Sequence, residues 1–241
     1  MILEICANSF ESAQAAQLAG ANRIELCTEL SVGGLTPSHG LIEKVVSELN
    51  IPTHVLIRPR SGNFTYSEEE FDVMLRDITF CKKLGCAGIV SGFLTSDNKI
   101  DSMKTKQLID ASEGMEFTFH RAFDWVENPI DELQKLIDLK VNRLLSSGQK
   151  HTAIEGISLL KELQNHSKGK IEIMPGGGIN LENALKFKET WFNSIHLSAT
   201  TKKQVLLQKS KVSMHSEVFF EEGIIATSDK ETIQNIITLL A

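Results

Sequence analysis

The sequence predicts a parallel (β/α)8 barrel of the TIM type, an α/β fold formed as a single domain over residues 1–241. Three observations carry that expectation. Short β-branched segments alternate along the chain with longer segments of helical period. Eight such strand–helix units follow one another through short connections. The 241 residues, 41% of them hydrophobic, suit one large core. An open doubly wound sheet is the rival, but it usually has fewer strands, and the first strand here lacks the GxGxxG turn of a dinucleotide fold.

The elements follow in order. Leu3–Cys6 reads as the first strand; Ser9 then caps a helix to Leu18, with Gly20 as its stop. Arg23–Cys27 is the second strand, and Pro37-Ser38 opens a helix to about Leu49. Pro52 precedes the third strand, Thr53–Ile57. Ser67 and Glu70 form a capping box before a helix whose Phe71, Met74, Leu75, Ile78, Cys81 and Leu84 share one face. Gly85 ends it, and Cys86–Val90 is the fourth strand.

Ser102 caps a helix to about Ala111, and Glu116–His120 is the fifth strand. Asn128-Pro129 starts the next helix, with proline where no amide hydrogen is needed. Asn142–Leu145, Lys170–Met174 and Ser194–Leu197 are strands six to eight. Between them lie a helix over Thr152–Gln164 and a short one from Asn180 or Leu181. Ser228 and Glu231 cap a last helix that buries Ile233, Ile236, Ile237 and Leu240. Thr200–Gly223 is the least regular stretch, with Val218–Phe220 as an added short strand.

A net charge of −6 without a long run of either sign argues against sequence-independent binding to nucleic acid or an anionic membrane. The apolar runs are strand-sized, so none is expected to span a bilayer, and the N-terminus enters a strand at once, without a leader pattern. Cys6, Cys27, Cys81 and Cys86 show no paired CxxC spacing, which fits free thiols in a reducing cytoplasm.

In such a barrel, function gathers at the carboxyl ends of strands. Side chains on a strand alternate faces, so Glu4 and Cys6 point the same way, as do Glu25 and Cys27. On adjacent strands Glu4 and Glu25 would lie about 4.8 Å apart. Two buried carboxylates at that range need a cation or a retained proton, and Arg58, of matching parity on the third strand, is the candidate cation. Glutamates would form a deeper layer and thiols one nearer the mouth. His120 ends strand five as a candidate acid or base that Asp124 would orient. Glu4, Glu25, Arg58, His120 and Asp124 are therefore the candidate catalytic set.

Arg60, Gly176, Gly177, Gly178 and Ser198 are the candidate substrate contacts: three consecutive glycines before a helix start allow backbone amides to meet a phosphate. No lysine ends a strand, which disfavours a Schiff-base mechanism. Cys6 and Cys27 at equivalent positions suit Cu(I), while zinc would require more ligands, such as His120.

Leu3-Glu4-Ile5-Cys6-Ala7-Asn8, Arg23-Ile24-Glu25-Leu26-Cys27, Gly33-Gly34-Leu35-Thr36-Pro37-Ser38, Ile57-Arg58-Pro59-Arg60-Ser61-Gly62, Phe119-His120-Arg121-Ala122-Phe123-Asp124 and Pro175-Gly176-Gly177-Gly178 together resemble the CutC family, over most of the chain and more weakly after Ser198. The resemblance implies a cytoplasmic, often homo-oligomeric TIM barrel tied to copper homeostasis. It also implies that Cys6 and Cys27 are its Cu(I) ligands. It brings no settled reaction. The carboxylates, arginine, histidine and glycines leave open an enzyme, whether lyase, isomerase or hydrolase, acting on a small phosphorylated metabolite.

Overall fold

A computed structural model describes residues 1–206, 208, 212 and 224–241. Eight parallel strands form a nearly closed barrel: β1 (Ile2–Ala7), β2 (Arg23–Leu26), β3 (Thr53–Leu56), β4 (Gly88–Ser91), β5 (Glu116–Phe119), β6 (Arg143–Ser146), β7 (Glu172–Pro175) and β8 (Ser194–Leu197). From β1 to β7 each strand pairs with the next in sequence, and β1 also pairs with β8. The seam between β7 and β8 carries the single bridge Gly176–His196. Around the barrel run α1 (Phe10–Ala19), α2 (His39–Glu48), α3 (Glu68–Leu84), α4 (Ser102–Ala111), α5 (Pro129–Asp138), α6 (Ile157–Ser167), α7 (Ala184–Glu189) and α8 (Lys230–Leu240). No helix among the described residues is long and apolar enough to cross a membrane.

Caps set several boundaries where local chemistry predicts them. Ser9 accepts from the Ser12 amide, and Gly20 closes α1 in the left-handed region. Ser67 and Glu70 make the reciprocal capping box of α3. Two caps sit one residue from the expected position. Asp101 rather than Ser102 accepts from the Lys104 amide, and Asp229 rather than Ser228 accepts from that of Thr232. In each case a carboxylate, the stronger acceptor, stands beside the serine.

Two helices start later than their sequence suggests. Thr152 and Glu155 bond each other's backbone amides in a turn, so α6 begins at Ile157. Asn180 and Asn183 fold the 180–183 stretch into a side-chain-bonded turn, and α7 is delayed to Ala184. Within the irregular stretch Thr200–Gln204 forms β9, which pairs antiparallel with β10 (Ile224–Ser228). The expected strand Val218–Phe220 lies outside the described residues.

Strand parity divides the buried side chains. Ile5, Ile24, Val55, Ile89, Phe117, Leu144, Ile173 and Ile195 belong to one large apolar core together with the buried residues of the helices. The opposite parity supplies Glu4, Arg23, His54, Thr118 and Arg143, all buried, to the barrel interior. Barrel interiors are normally filled by branched apolar side chains. This one is an ionic network with a small apolar cluster of Cys6, Cys27, Leu56 and Val90 beside it.

Candidate functional site

Barrel stagger decides which polar groups meet. Glu4 is in register with Arg23 on one side and His196 on the other, while Cys6 is in register with Glu25. The expected Glu4–Glu25 pairing is thereby corrected: closing a barrel requires each strand to shear past its neighbour, and the offset here is two residues. The cation facing Glu4 is Arg23, which donates Nε–H to it, not Arg58. The expected separation into a carboxylate layer and a thiol layer gives way to a mixed one. Cys6 Sγ lies 3.5 Å from both Glu25 Oε1 and Cys27 Sγ.

His196 links the two levels. Its Nδ1 donates to Glu4 Oε1 at 2.8 Å, leaving Nε2 for the side where Cys6 and Glu25 stand. One ligand atom each from Cys6, Glu25 and His196 lies within 4.8 Å of the others. Burial opposes charging Glu4, yet His196, Arg23 and His54 outweigh it and hold its carboxyl well below the usual range. Burial likewise opposes charging His196, but Glu25 and the hydrogen bonds to Cys6 and Glu4 raise its pKa well above the ordinary imidazole value. Glu25 is pushed upward by burial, with His196 resisting. The Cys6 thiol is raised by its hydrogen bond with Cys27 and then by burial.

The remaining expected residues occupy different surroundings. Arg58 is buried and spends its Nη atoms on the carbonyls of Val32 (2.7 Å), Gly34 (2.9 Å) and Gly62 (2.9 Å). Arg60 turns away into its own loop, bonding Glu70, Asn63 and Thr65, because β3 has already ended and the chain leaves the barrel face. His120 follows β5 and caps the turn after it, with Nδ1 accepting from the Ala122 amide at 3.3 Å. Asp124 does not orient it. Asp124 instead receives Arg121 Nε–H (2.8 Å), Ser146 Oγ–H (2.6 Å), Ser147 Oγ–H (2.9 Å) and the amides of Ser147 and Gln149. The 3-10 turn Arg121–Trp125 swings that carboxylate over β6.

Gly177 (φ 108°) and Gly178 (φ 70°) hold backbone conformations that favour glycine, and all three glycines meet close neighbours. A Cβ at Gly176 would come within 2.5 Å of Leu145, at Gly177 within 3.1 Å of the Arg121 guanidinium, and at Gly178 within 2.9 Å of Thr152. The six-residue α7 starts only at Ala184, so no helix start follows the glycines directly. The phosphate cradle expected there thus loses its helix. Ser198 stays half-buried at the mouth, with Oγ 3.5 Å from Thr200 Oγ1.

Cys6, Glu25, Arg58, His120, Arg121, His196, Ser198, Gly177 and Gly178 do share one cavity of about 420 Å³, walled by Leu30, Leu56, Phe64, Leu145, Ile179 and Leu197. Arg23 and His196 stand outside the set of candidate residues expected from the sequence. Arg23 shares the parity of Glu25 and Cys27, the one signal by which it was detectable.

The family model described as "CutC family" matches residues 1–201. The chain is 48% identical over 199 residues to the family protein CutC of Pasteurella multocida, covering 82% of each chain. It is 39% identical over 242 residues to that of Glaesserella parasuis, covering 100% of this chain and 99% of the relative. Among solved structures, CutC from Streptococcus agalactiae, a proposed copper homeostasis protein, superposes with a TM-score of 0.77 at 35% identity, over 82% of this chain and 98% of its own.

Proposed function

The chain belongs to the CutC family, and we propose that it serves copper homeostasis by holding Cu(I) between Cys6 and Cys27, with His196 completing the donor set. One observation carries this reading: Cys6 Sγ lies 3.5 Å from Cys27 Sγ and, together with Glu25, within 4.8 Å of a ring nitrogen of His196, the histidine that the buried Glu4 carboxylate orients. Metal-binding histidines almost always donate their second ring nitrogen to such a partner, which fixes tautomer and ring direction. Two metal–thiolate bonds of about 2.3 Å at a tetrahedral angle place their sulfurs about 3.8 Å apart, whereas a linear pair needs about 4.6 Å. The 3.5 Å contact between the metal-free thiols is nearer the bent separation than the linear one. Soft thiolates select Cu(I) over harder ions. We read the protein as working with reduced thiols in the cytoplasm, as a homo-oligomer.

Loading must expel the Cys6 proton and the proton of His196 Nε2, both held tightly in the metal-free protein. Apparent Cu(I) affinity is therefore expected to fall as pH drops, by at least about tenfold per unit. An anaerobic competition titration against a colorimetric Cu(I) chelator checks this. The Cys6→Ser, Cys27→Ser double variant should lose competitive binding, and Glu4→Gln should weaken it by about 10- to 100-fold. Unchanged affinity in the double variant would sink the reading.

A second reading is favoured by the cavity beneath the mouth. Glu25, with its carboxyl pushed upward, and neutral His120 face one small volume, as an acid–base pair would. A lyase, isomerase or hydrolase acting on a small metabolite fits that arrangement. Turnover found in a metabolite screen should drop about 10²- to 10⁴-fold in Glu25→Gln. Equal rates in that variant would remove Glu25 from the chemistry.

A further inference from the structure

Arg58 is a buried cation on the cavity wall, held by carbonyl oxygens. It is 5% exposed, no carboxylate among the described residues pairs with it, and its Nε has no hydrogen-bond partner among them. A buried cation compensated only by carbonyl dipoles is costly unless an anion joins it. His120, also 5% exposed, supplies a second open donor. With Nδ1 accepting from the Ala122 amide, its proton resides on Nε2, which likewise lacks a partner. The Phe64 ring lies 4.9 Å from the Arg58 guanidinium and 4.9 Å from the His120 ring, so both groups flank one apolar wall. A Cβ at Gly92 would lie 2.6 Å from His120 Nδ1, so the imidazole is packed in place. Across the cavity, Glu25 Oε2 is the third unpartnered polar atom.

We propose that this cavity binds a short hydroxy or keto acid, its carboxylate oxygens received by Arg58 Nε–H and His120 Nε2–H and its hydroxyl or carbonyl meeting Glu25. This deepens the second reading above, requiring its occupied cavity but not its turnover. Two open donors match the two oxygens of a carboxylate. A phosphate dianion would meet Glu25 with greater repulsion than a carboxylate monoanion. Arg121 at the rim gives its Nε–H to Asp124 and an Nη2–H to Ser147. The volume, about 420 Å³, lies toward the small end of ligand pockets, and its leucine walls suit a short carbon chain.

The test is calorimetry and thermal melting of the metal-free full chain with pyruvate, L-lactate and 3-hydroxybutyrate. Inorganic phosphate and chloride at equal ionic strength serve as references. At least one acid should bind with a millimolar or tighter Kd and raise Tm beyond chloride. Binding should weaken about tenfold or more in His120→Phe, the worth of a hydrogen bond to a charged group, and vanish in Arg58→Met. It should persist in the surface variant Arg76→Met, whose side chain is exposed and paired with Asp72. If Arg58→Met does not fold, His120→Phe decides alone. The proposal is overturned if no acid outperforms chloride, if phosphate binds more tightly than every acid, or if His120→Phe binds as well as the wild type. Acids that bind without being turned over would defeat the catalytic reading while leaving this one standing.

Discussion

Replacing Arg23 by methionine is expected to destabilise the fold by about 3–5 kcal/mol, the usual cost of stranding one member of a buried ion pair. Glu4 is fully buried, and its neighbours are Arg23 and His196. Removing the guanidinium leaves that carboxylate with a single charged partner in the barrel interior. The cavity is not refilled by polar neighbours, because Arg143 is already committed to Glu116 (3.0 Å), Glu172 (2.9 Å) and Thr118 (3.0 Å). Urea unfolding should show a lower midpoint with an unchanged slope. Adding Glu4→Gln to the variant should restore part of the loss, since the stranded charge is then gone.

The same variant has a pH signature. The Glu4 carboxyl is depressed in the folded chain, so the unfolded chain binds more protons between its own pKa and the folded one. The stability that Glu4 contributes is present above the unfolded value, about 4.3, and is lost as pH falls below it. Arg23→Met should flatten that loss.

Acidification well before the carboxylate range is expected to cost the wild type more. Burial, reinforced by Arg58, lowers the His120 pKa to about 3; burial, reinforced by Arg143 and Arg23 against Glu4, lowers that of His54 to about 4. Both imidazoles are neutral in the folded chain and titrate near 6.5 when unfolded. Between about pH 6.5 and 4 the unfolded state therefore binds the extra protons, and stability falls as pH falls. Each group contributes a slope of about 1.4 kcal/mol per pH unit, or about 3 kcal/mol across the window. His120→Phe should remove about half of the slope in a series of urea titrations. A stability flat from pH 6.5 to 4 would contradict the neutral, buried state of both rings.

Much of the fold was legible because its determinants are local. The Ser67–Glu70 capping box, the Gly20 and Gly85 stops and the Pro129 helix start are written within a few residues of the structure they specify. The alternation of strand residues also marked Glu4, Cys6, Glu25 and Cys27 as sharing the barrel interior. Register is a different kind of property. It follows from closure of eight strands at a common tilt, and no short segment encodes it. Hence Arg23, not Arg58, faces Glu4, and Cys6 rather than Glu4 stands level with Glu25. Asp124 was misplaced for a related reason: a one-turn 3-10 helix carries it from β5 to the exit of β6, where Ser146 and Ser147 hold it. The three glycines illustrate a third limit. Glycine marks close approach without saying of what, and here the close partners are Leu145, Arg121 and Thr152.

X-ray absorption at the copper edge tests most directly whether the thiols and His196, oriented by Glu4, hold the metal. One equivalent of Cu(I), loaded anaerobically into the full chain, should show two sulfur scatterers at about 2.3 Å and an imidazole nitrogen at about 2.0 Å, ordinary metal–ligand distances. The nitrogen should disappear in His196→Phe while the sulfurs remain. A spectrum without sulfur, or one unchanged in Cys6→Ser, Cys27→Ser, would place copper elsewhere and contradict the assignment.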